Sequence, residues 1–281
     1  MSIDIENLTY IYNKGTPFEK KALDNINLSI KDGEYIGIIG CTGSGKSTFI
    51  QHLNGLNTPD SGTVRYNGED IFVKGYRKKS LRGKVGLVFQ YPEYQLFEAT
   101  ILADVSYGPK NMGMSDGDAK AAAKEALSMV GMTEEVYEMS PFELSGGQKR
   151  RAAIAGILAM NPEVLVLDEP TAGLDPYGRN EIMQMINELH VNKGLTIVLV
   201  SHSMEDIARY ADRVVVLNEG KIFAQGSPAD IFNNYKELEE IGLIAPQTVY
   251  LMNALKECGV PVGNAITPEE AVKKILRQKG H

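Results

Sequence analysis

Apolar residues fall along this chain in two rhythms. Near the start, "IDIENLTYIY" and "LDNINLSI" alternate apolar and polar side chains, the period of a strand with one buried face, and a polar Gly-Pro turn separates them. Further on come continuous apolar runs rich in β-branched residues: "EYIGII" (34–39), "VGLVFQ" (85–90), "VLVLDEP" (164–170), "TIVLVSH" (196–202) and "RVVVLNEGKIFAQG" (213–226). Stretches with helical spacing lie between them, including "FIQHLNGL" (49–56), residues 118–130 and the segment that follows "LSGG". Buried strands alternating with helices predict an α/β fold around a parallel sheet, with residues 2–39 as a β-rich lobe laid against it.

Beyond about residue 235 the pattern is helical only. "SPADIF" (227–232) opens a helix with Ser227 as N-cap and Pro228 in the first turn, and "TPEEAVKKIL" (267–276) offers Thr267 and Glu270 as a capping box. A boundary near 235 divides the chain into residues 1–234 and a helical appendage, 235–281. Its apolar stripes, Val249, Met252 and Leu255 on one helix and Ala271 and Ile275 on another, exceed what a short appendage is expected to bury, so they predict a dimer contact. No internal repeat is present.

The densest chemistry is "GCTGSGKST" (40–48), between a predicted strand and a predicted helix. Gly40, Gly45, Lys46 and Ser47 fit the G-x-x-x-x-G-K-[ST] phosphate loop in its required strand-loop-helix setting. Glycines at 40, 43 and 45 let backbone N–H groups approach phosphate oxygens, and the helix N-terminus adds partial positive charge. Lys46 supplies a point charge for the β and γ phosphates, Ser47 a hydroxyl for Mg²⁺, and Thr48 lines the same helix turn. Cys41, Thr42 and Ser44 complete the expected nucleotide contacts. A Gly-rich turn beside a surface lysine would share the composition but not the flanks.

With 281 residues, 43% hydrophobic and 23% charged, the chain suits one large soluble domain plus an appendage; two full ATPase domains do not fit. A net charge of −7 argues against nucleic acid as a partner. The basic cluster "KGYRKKSLRGK" (74–84) has no aromatic series beside it and reads as solvated surface. Cys41 and Cys258 match no disulfide or metal spacing, which suggests a reducing compartment. "MSIDIENLTY" reads as a strand rather than a signal peptide, and no apolar run approaches the ~20 residues of a membrane span. A membrane role is therefore expected to be peripheral.

What the nucleotide serves is read from the other motifs. "VLVLDE" ends a strand in two acids: Asp168 is placed to reach Mg²⁺ and Glu169 to polarise an attacking water. "LSGGQKR", Leu144 to Arg150, resembles the signature of the ATP-binding cassette family, and the rest of that family's ordered set follows: Gln90 in "VFQYPE", "AGLD" (172–175) and His202 in "VSHS". The resemblance covers roughly residues 3–232. It implies a P-loop ATPase core with an antiparallel β lobe, a helical signature lobe at about 91–160, and two cassettes working head to tail. Each ATP would lie between one chain's phosphate loop and the other's Ser145, Gly146, Gly147 and Gln148. It further implies Gln90 and His202 as catalytic-site residues, Gln90 also as a metal ligand, Asp175 near the nucleotide, and an early tyrosine under adenine, Tyr12 or, failing that, Tyr10.

"GTPFEKKAL", "VFQYPEYQLFEATILADVSYGPKNMG" and the short helical tail resemble the ATPase subunits of energy-coupling factor transporters, and "YPEYQLF" is more similar to the second of the two paralogues. Such a subunit is implied to drive import of vitamins or metal ions from the cytoplasmic face of the cell membrane. Its partners would be a second ATPase, identical or paralogous, a transmembrane scaffold and a substrate-binding membrane subunit. Cys41 and Ala172-Gly173 depart from the commoner family residues without removing a catalytic group. The competing readings are the cassette of another importer or exporter, and a soluble cassette acting on DNA or ribosomes. The single cassette, acidic balance and missing long coiled-coil insertion count against the last.

Overall fold

The two rhythms become two sheets in the computed structural model, which describes residues 2–278. The alternating segments are β1 (Ser2–Tyr12) and β2 (Lys20–Lys31), joined by β4 (Ser61–Tyr66) and β5 (Glu69–Asp70) in an antiparallel sheet of order β2-β1-β4-β5. β1 bulges between Ile5 and Leu8, where Asn7 takes a φ of 52°. The continuous runs are β3 (Tyr35–Ile39), β6 (Val85–Val88), β7 (Val164–Asp168), β8 (Thr196–Val200), β9 (Arg213–Asn218) and β10 (Lys221–Gly226). They form a second sheet of order β10-β9-β3-β8-β7-β6, parallel except for β10.

Period-two alternation sorts the parallel strands between two cores. Ile36, Ile38, Val164, Val166, Val198 and Val200 face the antiparallel lobe and α1 (Lys46–Leu53). Tyr35, Ile39, Leu165, Leu167, Ile197 and Leu199 face the opposite helical layer. That layer holds α3 (Ile101–Met112), α4 (Asp116–Met129), α5 (Gly146–Leu158), α6 (Pro176–Lys193), α7 (Met204–Tyr210) and α8 (Pro228–Asn233); α2 (Lys78–Lys84) leads into β6. Gly37 is needed because a Cβ there would meet Ile207 of α7 at 2.7 Å. The result is the expected α/β cassette: a parallel core, an antiparallel lobe and a helical lobe spanning the signature.

Three details differ from expectation. Residues 213–226 form a hairpin rather than one run, because Glu219 and Gly220 both take positive φ (48° and 76°). Thr267 caps the last helix through the Glu270 N–H at 3.4 Å, but the Glu270 carboxylate accepts from Ile266 N, one residue short of a reciprocal box. The tail, α9 (Tyr235–Glu240), α10 (Gln247–Glu257) and α11 (Pro268–Gln278), buries the stripe that was expected to be free. Val249 joins the core under the helical layer at 2% exposure, and Met252 packs with Val262, Ala265 and Ala271. Burying each such side chain contributes about 1.5–3 kcal/mol. Leu255 and Ile275 pack against the same small core and are partly buried.

Candidate active site

Four neighbouring parallel strands, β3, β8, β7 and β6, deliver the site from their carboxyl ends, where open α/β sheets place ligands. β3 runs into the phosphate loop and α1, β8 into Ser201-His202, β7 into Asp168-Glu169, and β6 toward Gln90.

The phosphate loop is shaped by close approach. A Cβ on Gly40 would lie 2.3 Å from the Leu217 carbonyl oxygen, and one on Gly45, at φ 105°, 2.5 Å from that of Ala22. The β9–β10 turn backs the loop, with Gly220 N donating to Ser44 O at 3.0 Å. Lys46 folds over it, and its Nζ donates to the carbonyls of Gly40 (2.7 Å) and Cys41 (3.0 Å). Burial lowers the Lys46 pKa, opposed by the charges of Glu169 and Asp168. The Cys41 side chain turns from the loop to the tail, where its thiol donates to Ile241 O at 3.1 Å. Its expected nucleotide contact is thereby left to the backbone, since the side chain is committed elsewhere.

Residues far apart in sequence converge on one carboxylate. Gln90 Nε2 donates to Glu169 Oε2 at 3.2 Å, and His202 Nε2 lies 2.9 Å from Glu169 Oε1. Glu169 takes a left-handed φ of 49°, a conformation costing about 1–3 kcal/mol in a non-glycine residue. Its N–H still extends the ladder to Val200 O at 3.0 Å. Asp168 behind it is nearly buried; desolvation raises its pKa, while the Ser47 hydroxyl beside it acts in the opposite sense.

Above the loop opens a cavity of about 390 Å³. Thr42, Gly43, Gly45, Lys46, Ser47 and Thr48 line it on one side, Gln90, Glu169 and His202 on another, and Tyr12, Lys20 and Ala22 from the antiparallel lobe on a third. Tyr12 is aimed by a hydrogen bond between its hydroxyl and Thr48 Oγ1 at 3.1 Å. Tyr10 packs edge-on against Tyr12 and His52 and does not line the cavity. Lys20, which sequence reading passed over, places its Nζ 3.9 Å from where a Gly43 Cβ would sit.

The signature residues do not line this cavity. Ser145 caps α5 by accepting from Gln148 N at 3.3 Å, and Gln148 Oε1 returns the bond to Ser145 N at 2.9 Å. Neither Gly146 nor Gly147 has any atom within 4 Å of a built Cβ, so packing within the chain does not require their small size. Asp175 also lies off the cavity. Its carboxylate accepts from Gly178 N at 2.8 Å as the N-cap of α6.

The sequence model of the ABC transporter family matches residues 23–172, and curated relatives extend the likeness to nearly the whole chain. The energy-coupling factor transporter ATP-binding protein EcfA2 of Clostridium tetani is 56% identical over 99% of this chain and 97% of its own length. EcfA2 of Clostridium perfringens is 54% identical over 99% of each. The chain belongs to the ABC transporter family. Among solved structures, cbiO1 of Clostridium perfringens, part of the ABC transporter complex cbiONQ, superposes with a TM-score of 0.76 at 37% identity, covering 91% of this chain and 98% of that one. The ATP-binding cassette MJ0796, a dimer bound to ADP and Pi, gives 0.71 at 33% identity over 80% of this chain and 98% of its own. As an ABC ATPase, the chain binds and hydrolyses ATP.

Besides Lys20, Arg150 of this ABC cassette was given no role from the sequence. Arg150 is 1% exposed. Its Nε donates to Glu93 at 3.0 Å and Nη2 to the other Glu93 oxygen, while Nη1 donates to the carbonyls of Pro170 (2.9 Å) and Ala172 (2.7 Å). Its guanidinium also lies over the Tyr91 ring, 5.8 Å from the centroid. One side chain thus joins the loop after Gln90, the signature helix and the loop after Glu169. The signal was a charge at position 150 in the buried 150-154-158 series of α5, where an ion needs a partner.

Proposed function

We propose that this chain is the second-paralogue type of ATPase subunit in an energy-coupling factor importer of vitamins or metal ions. It would act at the cytoplasmic face of the cell membrane. No helix among the described residues is long and apolar enough to cross a membrane, so attachment would come through a transmembrane scaffold and a substrate-binding membrane subunit. The observation that carries the ATPase assignment is the convergence of Gln90 and His202 on Glu169 at the mouth of a cavity floored by the phosphate loop. Near-full-length similarity to EcfA2 proteins supports the transporter type.

In this reading Tyr12 stacks on adenine, the loop and Lys46 hold the phosphates, and Glu169 accepts a proton from water attacking the γ-phosphate. His202 and Gln90 position that carboxylate. The Ser47 hydroxyl beside Asp168, with Gln90 nearby, is a hard-oxygen donor set that fits Mg²⁺, which would neutralise phosphate charge. Ser145, Gly146, Gly147 and Gln148 would receive the partner's γ-phosphate in a head-to-tail dimer. Their open surroundings support that role. The tail from about residue 235 would hold two ATPases together, and Leu251, Val272 and Leu276 are the apolar side chains it leaves outward for such a contact.

Ser145→Arg should leave ATP affinity of the single chain unchanged and abolish the ATP-bound dimer, because a bulky cation would fill the space meant for the partner's γ-phosphate. Size-exclusion chromatography with ATP in a Glu169→Gln background reads this directly. A persistent dimer would place the signature outside the interface.

Coupling to the membrane is expected at the segment after Gln90. Tyr94 is 84% exposed and Phe97 65%, with Phe97 edge-on to Tyr107, whereas Leu96 packs inward against the core. Exposed aromatics on an arm tied to the active site suit a helix-in-groove contact. Combined Tyr94→Ala and Phe97→Ala should preserve ATPase activity of the isolated subunit to within about twofold and reduce co-purified scaffold by roughly tenfold or more. Normal assembly and uptake would move the coupling surface elsewhere.

A further inference from the structure

The chain carries a net charge of −7, yet residues 74–84 hold six cations, Lys74, Arg77, Lys78, Lys79, Arg82 and Lys84, and no acid. Two are engaged by their neighbours. Lys84 pairs with Glu163 at 2.8 Å, and Lys78 lies over the Phe72 ring at 4.9 Å with Thr58 Oγ1 at 3.3 Å. Lys74, Arg77, Lys79 and Arg82 are exposed and make no ion pair among the described residues. Leu81 turns inward and is 2% exposed, which fixes α2 with its charges outward.

Beside α2 runs an open groove of about 580 Å³. Arg77, Lys78, Lys79 and Lys84 rim it, Met112 and Met160 form its apolar part, and no carboxylate lines it. A cationic rim over thioethers matches a phosphodiester attached to an apolar body. The groove also adjoins the aromatic surface. α3 carries Tyr107, which meets Phe97, and Met112, which lies against Gly83 of α2 with its Sδ 3.6 Å from a built Cβ.

We propose that α2 and its groove rest on the headgroups of anionic phospholipid beside the membrane scaffold, a lipid contact made by the ATPase subunit itself. The proposal builds on the transporter reading above. An acidic protein is repelled by an anionic leaflet unless its cations face the lipid, and screening limits attraction to about 8 Å at physiological salt. Four unpaired cations on one short segment supply such an orienting face. Each cation near an anionic surface strengthens binding by about fivefold.

The test is co-sedimentation of the isolated full-length chain with vesicles of phosphatidylcholine alone or mixed with phosphatidylglycerol. The wild-type chain should bind the mixed vesicles, leave the neutral ones, and dissociate as salt rises from about 0.05 M to 0.5 M. Combined Lys74→Gln, Arg77→Gln, Lys79→Gln and Arg82→Gln should weaken that binding by roughly 100-fold or more. All four side chains are exposed and outside the nucleotide cavity, so ATP affinity and basal ATPase should not change. Equal binding to both vesicles, or undiminished binding by the variant, would overturn the proposal. So would loss of scaffold assembly in lipid-free detergent, which assigns the cations to an acidic protein segment. Because vesicle binding is read without transport, a negative result leaves the ATPase assignment intact, while failure of ATP hydrolysis would strike that assignment instead.

Discussion

Glu169→Gln should lower ATP turnover by about 10² to 10⁴-fold, the usual cost of losing a general base, with ATP affinity within about threefold of wild type. The carboxylate is the point at which Gln90 and His202 meet, at 3.2 and 2.9 Å. An amide keeps the size but cannot take up the proton of the attacking water. It can also satisfy only one of the two neighbours as an acceptor. Lys46 and the loop N–H groups are untouched, so binding persists. Single-turnover hydrolysis and equilibrium titration with ATP separate the two quantities. Turnover within about threefold of wild type would remove Glu169 from the role of base.

Arg150→Ala should strongly destabilise the cassette. It deletes a buried guanidinium and leaves the Glu93 carboxylate and the carbonyls of Pro170 and Ala172 without their donor. Breaking a buried pair from one side costs about 3–5 kcal/mol, and the partial exposure of Glu93 puts the expectation near the lower figure. For a domain of this size ~3 kcal/mol lowers the unfolding temperature by about 6–12 °C. Replacing both partners, Arg150→Met with Glu93→Leu, should recover much of that loss because no ion is then stranded. ATPase activity should not recover, since the signature helix and the loop after Gln90 remain untied. Calorimetric scans of the three proteins are the measurement. An Arg150→Ala midpoint within about 1 °C of wild type would show that the guanidinium carries no net stability.

The buried parallel strands were legible because runs such as "VLVLD" and "TIVLV" are strand-length and rich in β-branched residues, and β7 and β8 follow them residue for residue. β4 and β5 were not, because both are mostly polar: "SGTVRY" exposes its first residues and β5 is only Glu69–Asp70. α3 was missed for a different reason. Gly108 and Pro109 interrupt its helical signal, yet Gly108 sits against Met160 and the helix continues to Met112. At the site, the phosphate loop and the acids were readable because their chemistry is local, whereas Gln90 and His202 were named only through the family resemblance. The Arg150–Glu93 pair spans 57 residues, and nothing in either segment alone announces it. The tail's stripe had the correct helical period, but a period cannot say which surface covers it.

The order of strands in the central sheet bears on how the chain folds during synthesis. β3, which feeds the phosphate loop, pairs with β8 and β9 and with no strand made before them. The loop is then closed from behind by Gly220, whose N–H reaches Ser44. A ribosome-bound chain accordingly lacks a nucleotide site until residue 220 and the hairpin around it have emerged, although residues 40–48 were made early. Such long-range closure is slow and leaves apolar strands exposed in the interim. Until then both edges of β3 lack the strands that pair with them in the finished sheet.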